Sequence, residues 1–579
     1  MNSQLEMEMK FSKKFKDLLV IDDIINDLGS VMSAAYIEID TWREQEFYPM
    51  KQKLVDSLPE TQDIVIELML TMVTKLHVHL IQGSAVELGS RLGFISTIEA
   101  AKIGSSIISL CHGDLYDITI EPDGTYLVPK LNIDAKLKRK INQLNFLPPN
   151  LTPIQWVHGN NTGGWLWEKK SIILGNGNHH DKPQAIDVLN KLQKIEWTID
   201  LDVLVNEIHE NPTHNETEII GHYVGEKFYF TYRYDKRGRI YSSGYDINPQ
   251  SDEYGKAILK PTKAEICTTE GIRALKIDVA NYAGLDKLSW DERVSTIDSG
   301  KFKWKKPILG RKASRALVKA NAGEPIAHFI ELDATSSGFQ IMACLSGCVT
   351  TGRTCNLVNT GMRENAYEHV HKAMEELVDC TGIETKYPAM TFFYGSKKVP
   401  REAFNDEQLA AFYEVIRTTL PGCNSIMELL PDYWNPNTLA HEFTMPDGHV
   451  VRCKSMVKKH TQIDNNELGN SFMLDHYENE PHNDHITIYS MIVHAVDAWV
   501  CREVIRRCNF DVVPIHDCWG CHPNYAEQLK QVYREVLYDL CKLNLLNDIC
   551  SQLLGRDAGI VVSDEGLADE ILNSEYALS

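Results

Sequence analysis

Apolar positions recur at three- and four-residue spacing, with few glycines, from about Phe15 to Gly93, which predicts an α-helical N-terminal lobe. Its most apolar stretch, IVIELMLTMVTKLHVHLI, is interrupted by Glu67, Lys75, His77 and His79, so it reads as a core helix and not a membrane span. The segment DITIEPDGTYLVPKLNI alternates on both sides of Asp123-Gly124, the pattern of a β-hairpin. From Leu147 to Asn176 the chain turns rich in Pro, Gly, Asn and Trp, marking an irregular packed connection and a domain junction near residue 145. QAIDVLNKLQKIEWTIDLDVLVNEI then reads as helix with an internal break, and FYFTYRY at 228–234 as strand. No repeat of solenoid period is visible.

Two later apolar runs each end in an aspartate. IAHFIELDATSSGFQ delivers Asp333 before small turn-forming residues, and FDVVPIHDCWGCHP delivers Asp517 before a glycine. Two such aspartates facing each other across a turn suit two-metal phosphoryl transfer, where ions about 3.5–4 Å apart are neutralised by carboxylate oxygens. Asp333 could instead cap a helix. Cys518 and Cys521, flanked by His516 and His522, offer a zinc reading, although no second ligand pair stands at conventional spacing.

In TKYPAMTFFYGSKK, Lys386 and Tyr394 lie eight residues apart, on roughly one face of a helix begun near Tyr387, with Pro388 in its first turn. Such a lysine can meet a triphosphate and such a tyrosine can stack on a base or probe a sugar. The plainer alternative is an amphipathic helix with a solvated lysine.

At 579 residues the chain has room for a large lobed molecule. Its net charge of −21 is the reverse of what a DNA-coating protein needs, so a nucleic-acid enzyme would have to gather its cations in an internal channel. The densest local source is KFKWKKPILGRKASRALVK, from Lys301 to Lys319. Fourteen scattered cysteines without a secretory leader predict reduced thiols and a cytoplasmic location, host bacterial cytoplasm if the chain is viral. Glu6, Glu8 and the lack of arginine in the first residues speak against a mitochondrial transit peptide.

The order strand-Asp, Lys-x7-Tyr-Gly helix, strand-His-Asp resembles that of the single-subunit DNA-dependent RNA polymerases of bacteriophages and mitochondria. DATSSGFQ resembles their motif A, KYPAMTFFYGS motif B and the HDCWG run motif C. YRYDKRGRIYSSGYDINPQ, LKIDVANYAGLDKLSWDER, TGRTCNLVNTGMRENAYEHV, the MPDG hairpin around Asp447, IVHAVDAWV and the upstream TPIQWVHGNNTGGWLW extend the likeness over roughly residues 145 to 579. The resemblance implies an α+β, mainly helical right-hand polymerase: an antiparallel palm, helical fingers, a reduced thumb and a helical N-terminal lobe. It divides the chain into an N-terminal lobe (1–144), a connecting segment with the reduced thumb (145–227), palm (228–350), fingers with a specificity-type hairpin (351–490) and palm again (491–579).

The implied activity is DNA-templated RNA synthesis from ribonucleoside triphosphates, with a DNA template, nascent RNA and an accessory protein as partners. Two Mg2+ ions would be held by Asp333, Asp517 and the Ala334 carbonyl. Lys386 would contact the triphosphate, and Tyr394 the ribose 2′-hydroxyl with His494 near the same sugar. Tyr367 and Arg239 would line the active centre, Tyr241 would lie close to the template and Lys287 would reach the phosphates.

Two departures stand out. The family's arginine four residues before the motif B lysine is Gly382 here, which leaves Lys287, Lys397, Lys398 or an N-terminal residue to replace it. Between Glu207 and Phe228 the chain is too short for two long helices, which would need on the order of forty residues at about 1.5 Å each. The alternatives are a family A DNA polymerase, whose sugar-blocking glutamate would be Gly338 here, and a catalytically weak nucleic-acid-binding homologue.

Overall fold

The computed structural model describes residues 3–11, 13–113, 115–134, 137, 148–157, 159–167, 169–207, 214–244, 247–562 and 565–579. The junction expected near residue 145 lies outside them. Helices alternate with small antiparallel sheets, an α+β fold, in two compact units: Met1–Phe146 with Met456–Glu480, and Leu147–Ser455 with Pro481–Ser579.

In the first unit the helical periodicity is realised as Lys13–Arg43, Pro49–Asp56, Thr61–Val73, Ile81–Arg91 and Thr97–Leu110. The last two cross backbone to backbone, because a Cβ on Gly89 would meet the Ala100 carbonyl at 2.2 Å and one on Gly104 the Ala85 carbonyl at 1.9 Å. The apolar stretch read as a single core helix is in fact split. Its helix ends at Val73, and His79–Leu80 pairs as a strand with Gly124–Pro129, itself paired with Tyr116–Glu121 in the expected hairpin. No helix among the described residues is long and apolar enough to cross a membrane.

Two hairpins stand between 440 and 479, the first of them the MPDG hairpin expected around Asp447. Ala440–Thr444 pairs with Val450–Lys454, and Met456–Asn465 pairs with Asn470–Asn479. The second hairpin belongs to the first unit, where Ile463, Phe472 and Leu474 join the helical core. Glu467 in its turn accepts hydrogen bonds from Trp42 Nε1 and Ser106 Oγ, both at 2.8 Å, and pairs with Lys51.

The second unit is organised on a three-stranded antiparallel sheet in the order Val512–Ile515, Cys518–Cys521, Ile330–Asp333. Both outer strands are the apolar runs read from the sequence. Behind the sheet runs the buried helix Ile486–Arg507, whose last carbonyls are taken up by Lys191 Nζ at Ile505 and Cys508. Arg502 in that helix is fully buried and holds Asp447 with Nε at 2.6 Å. In the interval read as a reduced thumb, His214–Tyr223 forms one helix, and 208–213 lie outside the described residues.

Candidate active site

Ile330–Asp333 alternates: Ile330 and Leu332 are buried, while Glu331 and Asp333 share the opposite face. The register sets Cys518 opposite Asp333, so the loop His516-Asp517 stands at the same end of the sheet. That loop turns tightly, with His516 in the left-handed region at φ 62°. It is tied across by the Ala334 N–H, which donates to the Asp517 carbonyl at 2.9 Å. Ser337 Oγ donates to Asp517 Oδ2 at 2.8 Å, and the Ala334 carbonyl already accepts the Ser336 N–H. Past Asp333 the chain enters the helix Ser337–Ser346 through Ser336 at φ 88°. Asp333 is therefore not a helix cap.

Both carboxylates border a cavity of about 640 Å³. Asp333 opens into it but is enclosed by protein on its other sides. Loss of hydration and then the Asp517 charge push its carboxyl up to about 7. No lysine or arginine pairs with either carboxylate among the described residues, and no third His, Cys, Asp or Glu joins them as a metal cage. Two close carboxylates without a cationic partner are a donor set that suits hard divalent cations. Cys518 and Cys521 do not converge, since residues three apart in one strand point to opposite faces, and the zinc reading is set aside.

The cavity also collects Ala334, Lys287, Tyr367 and Lys386 from the residues singled out in the sequence. Lys386 Nζ stands 5.5 Å from the centre of the Tyr367 ring, a cation–π contact. Lys287 pairs with Asp286 at 3.4 Å. Lys397 and Lys398 are not on the wall, and Lys398 pairs with Glu402.

Tyr394, His494, Arg239 and Tyr241 do not line the cavity but form a second layer. The helix Lys386–Phe392 begins one residue earlier than expected and stops before Tyr394, so Lys386 and Tyr394 do not share a continuous helix face. Tyr394 instead packs on His494 with ring centres 4.7 Å apart, and Tyr241 packs on His516 at 5.0 Å. Arg239 pairs with buried Asp497 at 2.8 Å, and its charge acts on the nearby Tyr394 hydroxyl against the effect of burial. Burial pushes the Tyr394 hydroxyl up to about 12 and holds His494 neutral, near 2. Sequence reading missed Ser337 and Asp497, whose roles depend on partners more than a hundred residues away.

The basic run splits in two. Arg311 and Arg315 both pair with Glu207, whose side chain is 1% exposed, Lys319 pairs with Asp202, and Lys312 donates to the Leu259 carbonyl at 2.5 Å. These four are structural cations, and the stretch open to a ligand shortens to Lys301, Lys303, Lys305 and Lys306.

No family model matches the chain. It is 22% identical over 497 residues to a probable DNA-directed RNA polymerase of Gelasinospora sp. (strain G114), covering 67% of this chain and 59% of that one. It is 20% identical over 439 residues to the mitochondrial DNA-directed RNA polymerase of Schizosaccharomyces pombe (62% and 38%). It is 26% identical over 227 residues to the DNA-directed RNA polymerase of Pseudomonas phage phiKMV (31% and 27%). The chain thus spans at most about three-fifths of the length of these relatives. With these likenesses spread over much of its length, the chain is a relative of the phage-type, single-subunit DNA-directed RNA polymerases, the mitochondrial ones included.

Proposed function

We propose that the chain synthesises RNA on a DNA template from ribonucleoside triphosphates, with the cavity at Asp333 and Asp517 as its active centre. The observation that carries this reading is the pair of strand-delivered carboxylates, without cationic partners, in one cavity with Lys386. Asp333, Asp517 and the free lone pair of the Ala334 carbonyl would hold two Mg2+ ions. Bound there, the ions supply charge neutralisation for the attacking and leaving oxygens.

The chain's own residues then divide the work. Lys386, kept over the Tyr367 ring, gives the triphosphate a mobile cation, with Lys287 at the rim. Tyr394, oriented by Arg239 and His494, presents its hydroxyl toward the sugar, and Gly338 leaves room there for a 2′-hydroxyl, which favours ribonucleotides. Tyr241, edge-on against His516, serves the template side. In a right-hand arrangement, 228–350 and 491–579 are palm, 351–490 fingers, 145–227 the reduced thumb and 1–144 the N-terminal lobe. Lacking a membrane-crossing helix among its described residues and with no disulfide among its fourteen cysteines, the protein fits a reducing aqueous compartment. The sequence reading names the cytoplasm, and the mitochondrial relatives add mitochondria.

A magnesium-dependent run-off assay with paired single-stranded and closed-duplex templates tests the reading. Opening DNA costs roughly 1.4 kcal/mol of stacking per base-pair step. RNA is therefore expected from the single-stranded template, with closed duplex needing a partner protein. No RNA from either template overturns the proposal.

A further inference from the structure

One guanidinium in the cavity wall is unclaimed by anything the sequence singled out. Arg363 lines the cavity with Asp333, Asp517 and Lys386. Its Nε is buried without a hydrogen-bond partner, and no carboxylate pairs with it among the described residues. That buried donor is costly, and the guanidinium stands on the cavity wall with no carboxylate to offset its charge.

The surrounding structure holds this arginine in place without using its charge. Asn356, buried and in the left-handed region at φ 63°, accepts from the Glu364 N–H at 2.7 Å and donates to the Glu364 carbonyl at 2.9 Å. The same Asn356 amide donates to Thr335 Oγ1 at 3.1 Å, two residues past Asp333. Position 363 is thereby tied to the strand end that carries Asp333. The neighbouring acid is occupied elsewhere, because Glu364 accepts from Thr360 at 2.8 Å and contacts His369 at 2.7 Å. Where an arginine could otherwise stand, Gly382 has φ 76° and no atom within 4 Å of a Cβ.

We propose that Arg363 is a catalytic residue that binds the phosphate chain of the incoming nucleoside triphosphate. A planar guanidinium with free donors suits bidentate contact to phosphate oxygens, and Lys386 supplies a second cation in the same cavity. This inference rests on the reading of the cavity as a nucleotide site.

The test is calorimetric titration of the full chain with inorganic tripolyphosphate and with ATP, both in Mg2+, using wild type, Arg363→Gln, Arg363→Lys and the surface control Arg417→Gln. Arg363→Gln is expected to weaken both ligands about tenfold or more, Arg363→Lys to recover part of the loss, and Arg417→Gln to change neither. In RNA synthesis Arg363→Gln should raise the KM for ATP by a similar factor with kcat within a few-fold. Should Arg363→Gln lose its circular-dichroism signature of folding, Arg363→Lys is read instead, with about a threefold loss expected. Wild-type affinity in the variant read, a matching loss in Arg417→Gln, or no tripolyphosphate binding by wild type overturns the assignment. Arg363-dependent tripolyphosphate binding in a chain that makes no RNA would uphold it while removing the polymerase reading.

Discussion

A Cβ built on Gly338 would stand 3.1 Å from the hydroxyl oxygen of Tyr394, so these two residues fix how much room is left beside that hydroxyl. Tyr394→Phe is expected to lower the preference for ATP over dATP, measured as the ratio of kcat/KM values, by about tenfold or more. Overall rate should fall much less. An unchanged preference would pass the sugar-sensing role to His494. Gly338→Ala, which only crowds the hydroxyl, should slow ribonucleotide use while leaving dATP use nearly as it was.

Asp333→Asn or Asp517→Asn should abolish RNA synthesis and leave template binding nearly intact, since each removes a carboxylate charge without changing shape. The Asn variants should also melt higher than wild type in chelator, because two close carboxylates repel when no cation lies between them. Synthesis within a few-fold of wild type by either variant would dismiss the site.

Burial pushes Asp497 up to about 6 from its ordinary 3.8, against the pull of Arg239. A carboxyl raised on folding binds its proton more tightly in the native state, so this stability is full below pH about 4 and is lost as pH rises through about 6. Asp497→Asn should flatten that part of the melting-temperature profile, measured from pH 4 to 7. A slope equal to wild type would show that Asp497 titrates normally.

For the basic segment, substitutions should separate into two behaviours. Lys303→Gln with Lys305→Gln and Lys306→Gln should weaken DNA binding and flatten its salt dependence, as fewer counterions are released. Arg311→Gln with Arg315→Gln should leave the salt slope alone and destabilise the fold by about 1–3 kcal/mol, because buried Glu207 loses both partners. Equal salt slopes in wild type and the triple lysine variant would mean those lysines face only solvent.

The two aspartates were legible because alternation, β-branching and turn residues are local signals, and each lay beside its own strand. The spacing of Lys386 and Tyr394 misled for a non-local reason. The helix stops at Phe392 and Gly395, at φ 95°, lies so close to Ile486 that a Cβ there would meet its carbonyl at 2.9 Å, a contact no window of sequence contains. The split of the apolar 64–81 stretch likewise depends on a strand partner more than forty residues downstream. Arg363 lay inside the quoted run TGRTCNLVNTGMRENAYEHV but stayed unremarked there, because nothing local sets it apart and only the fold brings it to the cavity. The charges of Arg311 and Arg315 looked available until Glu207, about a hundred residues earlier, was found beneath them.

Ile330–Asp333 is the outermost strand of its sheet, yet its free border is occupied. Asp333 exchanges two backbone hydrogen bonds with Ser579, at 3.0 and 2.9 Å, and Thr335 donates to the Ala577 carbonyl at 3.2 Å. A border strand that carries chemistry has two hazards: its backbone can breathe, and it can recruit foreign strands. Residues 577–579 close both openings with one short clasp. Cleaving it off should therefore do more than shorten the chain: it should convert a quiet border into an adhesive one, with Asp333 loosened in the same event.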